Sequence, residues 1–119
     1  MTLYTSPTMS YETSPFISID QSTFDSTWST TDDRVMGGQS YSYATYDSAG
    51  FGVFNGTAIG DGGGFSYVQY KPESGVMDTQ DNDGVVLRVS SQDNRIYNVR
   101  IKDNSWRFFS ASWSKSFEV

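Results

Sequence analysis

Cysteine and histidine are both absent from the 119 residues of this chain. Their absence excludes disulfide bonds, thiolate nucleophiles, zinc fingers and every catalytic triad or general base built on imidazole. This favours a binding protein over an enzyme, and we expect no catalytic residues, no bound metal and no cofactor. Long apolar runs are also missing. Because a membrane-spanning helix needs roughly 18 apolar residues, we predict a soluble protein with no membrane span.

Basic residues are scarce before position 88. Residues 1 to 87 hold 2 basic and 11 acidic side chains, whereas residues 88 to 119 hold 6 basic and 3 acidic ones. The basic end predicts either a solvated strand face or a strip that docks a partner, with Arg88, Arg100 and Lys102 in it. Because no basic cluster dominates the acidic field of the chain, nucleic acid is not an expected partner.

Aromatic residues make up 16% of the chain, while 36% of the residues are hydrophobic overall. Large rings can fill a core with few residues, and a chain of this length suffices for one ordinary domain. The first fifteen residues are rich in serine and threonine and contain no lysine or arginine, so no secretory signal or mitochondrial presequence is visible. We predict a flexible N-terminal arm over residues 1–15 and a single domain over residues 16–119.

Alternation of apolar and polar residues recurs along the chain, whereas helical periodicity is nearly absent. This pattern predicts an all-β fold of about seven short strands, an antiparallel β-sandwich or an open barrel. Two alternating segments, residues 85–90 and 95–102, flank the turn sequence SQDN and predict a hairpin. Further strands are predicted at residues 16–20, 40–46, 51–59, 64–70 and 106–117.

Two loop sequences leave alternatives open. DTQDNDG, residues 78–84, resembles the start of a calcium-binding loop but lacks the final glutamate ligand. An inter-strand turn therefore competes there with a calcium site formed by loop carboxylates. Asn55-Gly56-Thr57 matches an N-glycosylation sequon. Its Asn-Gly pair equally predicts a two-residue turn, a bulge or a close backbone contact.

The sequence DDRVMGG, residues 32–38, combines two carboxylates, an arginine, two apolar side chains and a glycine pair. Gly37 and Gly38 allow a positive φ and a close backbone approach, which predicts a turn into the strand that begins near Ser40. We expect Val35 and Met36 to cover the core of the domain. A ligand or partner contact at this turn is the alternative.

The charged residues of the same sequence are predicted to fix the turn. Asp32 or Asp33 is expected to pair with Arg34 or Arg88, or to accept backbone N–H groups. Neighbouring residues on an extended strand point to opposite faces, so this adjacent carboxylate pair does not suit glycoside hydrolysis, which needs two carboxyls across a substrate.

Three sequence elements, in this order, resemble the complex I intermediate-associated protein 30 family over residues from about Phe24 to about Trp113. The first has the pattern D-x-V-M-G-G-x-S and is carried by Asp33, Val35, Met36, Gly37, Gly38 and Ser40. The second is carried by Gly63, Gly64 and Phe65, and the third by Asp83, Gly84, Leu87 and Arg88. The resemblance implies a galactose-binding-like β-sandwich, a jelly roll. Family domains are usually longer, so it also implies a domain shortened at its C-terminus or closed by a compressed tail.

The resemblance implies a function as well. It implies a non-catalytic assembly factor, a chaperone that binds assembly intermediates of mitochondrial respiratory complex I, the NADH:ubiquinone oxidoreductase. It therefore implies a mitochondrial location, whereas the residues alone indicate a cytoplasmic protein because no presequence is visible. The residues predicted to form a structural motif or a partner contact are Asp32, Asp33, Arg34, Val35, Met36, Gly37, Gly38, Ser40, Gly63, Gly64, Phe65 and Arg88.

A carbohydrate-binding β-sandwich module, stabilised by calcium, is the alternative function. Aromatic rings stack on sugars, and loop Asp and Asn side chains supply hydrogen bonds to them. Tyrosine is equally a common strand residue that keeps its hydroxyl in water. The candidate rings are Trp28, Tyr41, Tyr43, Tyr46, Tyr67 and Tyr70.

Overall fold

The computed structural model of the protein describes residues 1–4, 17, 19–60, 64–75, 77–78, 81–102 and 112–119. In chain order its elements are β1 (Thr2–Tyr4), α1 (Phe24–Thr27), β2 (Trp28–Asp32), a 3₁₀ helix (Asp33–Met36), β3 (Tyr41–Asp47), β4 (Phe51–Thr57), β5 (Ser66–Tyr70), β6 (Arg88–Ser90), β7 (Ile96–Lys102) and β8 (Ser112–Glu118). The strands with a defined register pair antiparallel. The all-β prediction is confirmed, and the sandwich arrangement stays a prediction.

Two compact units divide the chain, Met1–Val89 and Ser90–Val119. Part of the predicted N-terminal arm lies in the first unit, because β1 pairs with β4 and Leu3 lies opposite Gly52. Residues 5–15 of that arm lie outside the described residues. The division into an arm over 1–15 and one domain over 16–119 therefore stays a prediction.

The larger sheet of the first unit has four strands in the order β3-β4-β1-β6. A three-residue turn joins β3 to β4, and it ends at Gly50, whose φ is 95°. The backbone oxygen of Asp47 accepts the Gly50 N–H at 2.9 Å, and the Asp47 carboxylate accepts the Ala49 N–H at 2.8 Å. A positive φ at the last turn residue suits glycine and is common in three-residue hairpin loops. The strand order β3-β4-β1-β6 places β3 and β6 at the two edges of this sheet.

Aromatic rings form the apolar centre of the first unit. Phe24 is the one buried apolar residue of the described chain, at 3% exposure. Its ring lies 6.0 Å from that of Trp28 and 6.1 Å from that of Tyr46. Trp28 in turn packs against Tyr70 of β5 at 5.1 Å, and these two residues face each other in the β2–β5 register. Stacking and edge contacts of this kind stabilise beyond the area that they bury.

The second unit is built on β7 and β8, which pair along seven residues from Ile96↔Glu118 to Lys102↔Ser112. Cross-strand partners share a face, so one face carries Tyr97 with Phe117 and Ile101 with Trp113. The rings of Tyr97 and Phe117 stack at 5.9 Å. Ile101 and Trp113 are exposed, at 37% and 57%.

The predicted hairpin of residues 85–90 and 95–102 is wrong. The strand β6 neighbours β1 in the four-stranded sheet, whereas β7 pairs with β8. Alternation indicates that a segment is extended but does not choose its partner. β8 offers β7 a seven-residue ladder with ring opposite ring, while β6 is only three residues long.

Six of the predicted strands are confirmed in whole or in part. They are 40–46 as β3, 51–59 as β4, 64–70 as β5, the end of 85–90 as β6, 95–102 as β7 and the end of 106–117 as β8. The predicted strand 16–20 is wrong at its described residues, since 17, 19 and 20 are not in a strand, and residues 16 and 18 lie outside the described residues. The short helix α1 and the strand β2 were not predicted. The strand β2 was missed because its sequence, WSTTD, has one large apolar residue among four polar ones.

The two open loop sequences have different outcomes. Asn55 and Gly56 lie inside β4, and a Cβ atom on Gly56 would lie 2.5 Å from the backbone oxygen of Tyr41. Of the three predicted alternatives, the close backbone contact at Gly56 is therefore confirmed. Within DTQDNDG, Thr79 and Gln80 lie outside the described residues. Across the described ranges, no three Asp, Glu, His or Cys side chains are grouped so that they could hold a metal ion.

The described helices are too short to cross a bilayer, and none has the apolar length that a membrane span needs.

Candidate functional site: the turn between β2 and β3

Residues 32–40 turn the chain from β2 into β3, and we refer to them as the Asp32–Ser40 turn. Its 3₁₀ helix begins after Asp32, whose side chain caps it by accepting the Arg34 N–H at 3.3 Å. It ends at Gly37, which has a φ of 84°. That left-handed conformation favours glycine at a helix C-terminus. The sequence-based expectation of a positive φ is thus confirmed at this position.

Gly38 serves a different purpose from Gly37. Its N–H donates to the Asp33 backbone oxygen at 2.8 Å. A Cβ atom at this position would lie 2.3 Å from the Asp33 Cγ atom. Glycine is needed here because the buried carboxyl group of Asp33 occupies the space, not because of an unusual φ.

The Asp33 carboxylate links the turn to the start of β3. Its Oδ1 accepts the Ser40 N–H at 2.8 Å, and its Oδ2 accepts the Ser40 hydroxyl at 2.7 Å. The Ser40 Oγ in turn accepts the Ile59 N–H at 2.8 Å. Asp33 is 7% exposed and Ser40 is fully buried. Hydrogen bonds to a charged acceptor in such a site are stronger than neutral ones, so this chain of bonds holds three separate segments together.

Asp32 forms the second anchor. Arg34 donates to it through Nε and Nη2, at 2.7 Å each, in a bidentate ion pair. The Ser42 N–H donates to Oδ2 at 3.0 Å, and the Ser42 hydroxyl donates to it at 3.3 Å. The hydrogen bond from Arg34 is the main cause that lowers the pKa of Asp32 from 3.8 to about 2. The same bond raises the pKa of Arg34, so the pair is ionised at neutral pH.

These contacts also occupy the outer edge of β3. The backbone oxygen of Ser42 accepts the Thr30 hydroxyl at 3.3 Å, while the Ser42 N–H donates to Asp32. Because these partners belong to β2, both backbone groups of Ser42 point away from β4, in which Gly56 lies opposite Ser42. Open sheet edges are templates for unwanted strand pairing. Here the side chains of Thr30 and Asp32 in β2 bond to the backbone groups of Ser42, which would otherwise be open to pairing with another strand.

The second of the three sequence elements meets the first at this turn, through Gly64 and Phe65. The Asp33 N–H donates to the Phe65 backbone oxygen at 3.1 Å. A Cβ atom on Gly64 would lie 2.0 Å from the Ile59 oxygen and 2.9 Å from the Ser40 Oγ. Gly64 is therefore required where the chain after β4 passes the buried serine. Gly63 lies outside the described residues.

Val35 and Met36 do not cover a core. They are exposed at 72% and 79%, so the expectation that they seal the domain is wrong. The reason is that polar bonds of Asp32 and Asp33, rather than apolar burial, fasten the turn on which they sit. Val35 also borders an open groove of about 370 Å³. The other residues that line this groove are Thr30, Thr31, Asp32 and Arg34.

The structure brings most of the predicted site residues together in or beside the Asp32–Ser40 turn. Arg88 lies elsewhere, exposed in β6 at the opposite edge of the four-stranded sheet from β3. Arg34 is the arginine that pairs with Asp32. Sequence reasoning missed Thr30, Ser42 and the backbone of Ile59. The signal that points to Ser42 is a small hydroxyl residue at an inward strand position between two exposed tyrosines.

The aromatic rings considered for carbohydrate divide into two groups. Trp28, Tyr46 and Tyr70 are half-buried and pack with one another or with Phe24. Tyr41, Tyr43 and Tyr67 are exposed, at 49%, 51% and 41%. Tyr67 stacks on Phe65 at 6.3 Å. The exposed face of β3 and β4 therefore offers two tyrosine rings beside their cross-strand partners Thr57 and Asn55.

Comparison with protein-family models gives one match. Residues 17–119 match the model described as complex I intermediate-associated protein 30. Neither curated proteins nor solved structures gave a significant match to the chain.

Proposed function

Because the chain belongs to the complex I intermediate-associated protein 30 family, we propose that it is a non-catalytic protein-binding module that assists the assembly of mitochondrial respiratory complex I. The family match carries the proposal. It spans the three sequence elements and extends from residue 17 to the last residue, 119. The proposed role is that of a chaperone that binds assembly intermediates, and the proposed location is the mitochondrion.

The geometry of the Asp32–Ser40 turn supports a binding role over a catalytic one. Both carboxylate oxygens of Asp32 and both of Asp33 accept hydrogen bonds from the protein's own donors. A general base or nucleophile needs an oxygen within reach of the substrate. Carboxylates that are engaged in this way hold a turn in place, and the side chains that the turn exposes include the apolar pair Val35 and Met36.

Affinity purification tests the proposed function. The tagged full chain, expressed in cells that are making complex I, is expected to recover subunits of complex I or its assembly intermediates. A Gly64→Ala variant is the fold-dependent control, because the added Cβ would lie 2.0 Å from the Ile59 oxygen and should abolish recovery. Wild-type chain that recovers no complex I subunit from such cells would overturn the proposal.

A carbohydrate platform on β3 and β4 is the second candidate function. The exposed rings of Tyr41 and Tyr43 favour it, since aromatic faces beside amide and hydroxyl groups are typical of sugar-binding surfaces. A glycan array is the direct measurement, with Tyr43→Ala expected to abolish any signal. Binding at background level for every glycan would dismiss this candidate.

A further inference from the structure

We propose that the exposed pair Val35 and Met36 is the contact through which the chain binds its protein partner, and that the partner presents an apolar cluster bordered by lysine or arginine. This inference rests on the proposed function and deepens it, because it names the surface and the chemistry of the partner. The pair lies on the Asp32–Ser40 turn, in which Asp33, Gly38 and Ser40 have evident structural roles. Val35 and Met36, in contrast, are largely exposed to water and pack against no core of the described residues.

Val35 and Met36 are unusually exposed for large apolar residues. Single apolar side chains on a protein surface are common and need no explanation. Val35 and Met36 are consecutive, and their exposures of 72% and 79% are the two highest among the exposed large apolar residues of the described chain. Burying such side chains in an interface removes apolar surface from water and so favours binding. A methionine also adapts its shape to a partner surface.

Rigid presentation makes the pair effective as a contact. The 3₁₀ helix that carries it is fixed at one end by Asp32 and at the other by Gly37, and its first residue is held by Phe65 and Ser40. A contact residue on a preorganised turn loses less conformational entropy on binding than one on a mobile loop. The buried carboxylates thus contribute to binding by positioning the apolar pair.

The groove beside Val35 adds polar recognition. Arg34 lines it and its side chain is 59% exposed. A guanidinium has five N–H donors. Of these, Asp32 engages one on Nε and one on Nη2, so the remaining donors suit backbone oxygens of a partner segment that lies in the groove. The bidentate pair fixes the guanidinium plane before the partner arrives.

The acidic charge of this part of the chain indicates which residues surround the apolar cluster of the partner. The turn itself carries two carboxylates and one guanidinium, a formal charge of −1. Residues 1 to 87 as a whole carry 11 acidic and 2 basic side chains. A field of this sign attracts basic surfaces and disfavours acidic ones. We therefore infer lysine or arginine around the apolar cluster of the partner.

Photo-crosslinking of the full chain identifies the contact directly. A photoreactive amino acid in place of Met36 is expected to crosslink a complex I subunit within a peptide that combines apolar residues with lysine or arginine. Crosslinking only to an acidic peptide, to a second copy of this chain or to lipid would overturn the inference. The same photoreactive residue in place of Ile96, which is 67% exposed, is the matched control and should not give that crosslink.

Serine substitution measures the contribution of the pair. The double variant Val35→Ser and Met36→Ser is expected to weaken partner binding roughly tenfold or more while the melting temperature stays unchanged, and Ile96→Ser should bind as the wild type does. For the wild type, raising the salt concentration from about 0.1 to about 1 M shortens the screening length from about 10 to about 3 Å. This should weaken binding of the basic partner. If the wild type recovers complex I subunits and the double variant recovers them equally, this inference fails while the proposed function stands. If the wild type recovers none, the proposed function fails.

Discussion

In the unit Met1–Val89, buried polar side chains fasten the edge of a sheet to the strand beside it, whereas in Ser90–Val119 two strands are held by contacts that remain open to water. Asp32, Asp33, Ser40 and Ser42 are all buried, at 4%, 7%, 0% and 7% exposure. In the second unit, the ion pair of Asp93 with Arg95 joins side chains that are 50% and 67% exposed. Exposed ion pairs contribute little because water and salt screen them.

The difference teaches how a chain with few apolar residues can still hold a defined turn. Leaving a buried donor or acceptor without a partner is costly, so the Asp33–Ser40–Ile59 bonds admit few alternative arrangements. A two-stranded hairpin by itself is at best marginally stable in water. The first unit therefore adds specific polar contacts to its aromatic centre, whereas the second depends on cross-strand contacts such as Tyr97 with Phe117.

Gly64→Ala should break the first unit with the largest effect of the predicted changes. The new Cβ would lie 2.0 Å from the Ile59 backbone oxygen, so backbone must shift and the Ser40–Ile59 bond must open. We expect a loss of at least about 3 kcal/mol in the free energy of unfolding, measured by urea titration. Gly60→Ala is the control, since its Cβ would meet nothing within 4 Å. Equal stability of the two variants would contradict the close packing.

Asp33→Ala and Asp93→Ala compare the two units at the same residue type. Without Asp33, the buried N–H and hydroxyl of Ser40 lose their acceptor, and we expect a loss of about 2 to 3 kcal/mol. Asp93 bonds to Ser91, to Tyr97 at 2.9 Å and to Arg95 at 2.7 Å, but it is half-exposed. Water can replace it, so its removal should lower stability less. Thermal unfolding of both variants decides, and a larger loss for Asp93→Ala would reverse the comparison.

The strands were more predictable from the sequence than their partners. Period-two alternation located β3, β4, β5 and β7 because it reports on a single extended segment. Pairing depends on residues far apart in the chain, so β6 beside β1 and β8 beside β7 were not visible in it. The strand β2 was missed because Thr30 and Asp32 face polar partners on β3 instead of an apolar core.

The candidate site was predictable in part for the same reason. Glycine at 37 and pairing of Asp32 with Arg34 follow from local chemistry within a few residues. The position of Val35 and Met36 does not, because apolar residues are usually assigned to a core. Only the bonds to Ser40, Ser42 and Phe65, which come from other elements, show that the turn is fastened without them.

Acid should weaken the first unit through Asp32. Its pKa is lowered from 3.8 to about 2 by the Arg34 bond, so the folded state binds this proton less readily than the unfolded state does. The stabilisation is present above pH 3.8 and is lost as the pH falls through about 2. Melting temperatures measured across that window should fall steeply for the wild type. In Asp32→Asn the fall should be shallower, because this carboxyl no longer titrates. A smaller fall should remain, since the lowered pKa values of Asp20 and Asp93 still contribute. An unchanged slope would contradict the assignment.

Phe117→Ala should destabilise the second unit alone, and we expect it to have the smallest effect among these predictions. The substitution removes one ring of the pair with Tyr97, whose centroids lie 5.9 Å apart, and we expect a loss of about 1 kcal/mol in local stability. Hydrogen exchange resolves the effect by residue. Amides of β7 and β8 should exchange faster in the variant, while those of β3 and β4 keep the wild-type rate. Equal acceleration in all four strands would mean that the two units unfold together, because a local opening of the hairpin leaves the bonds of Asp33 and Ser40 intact.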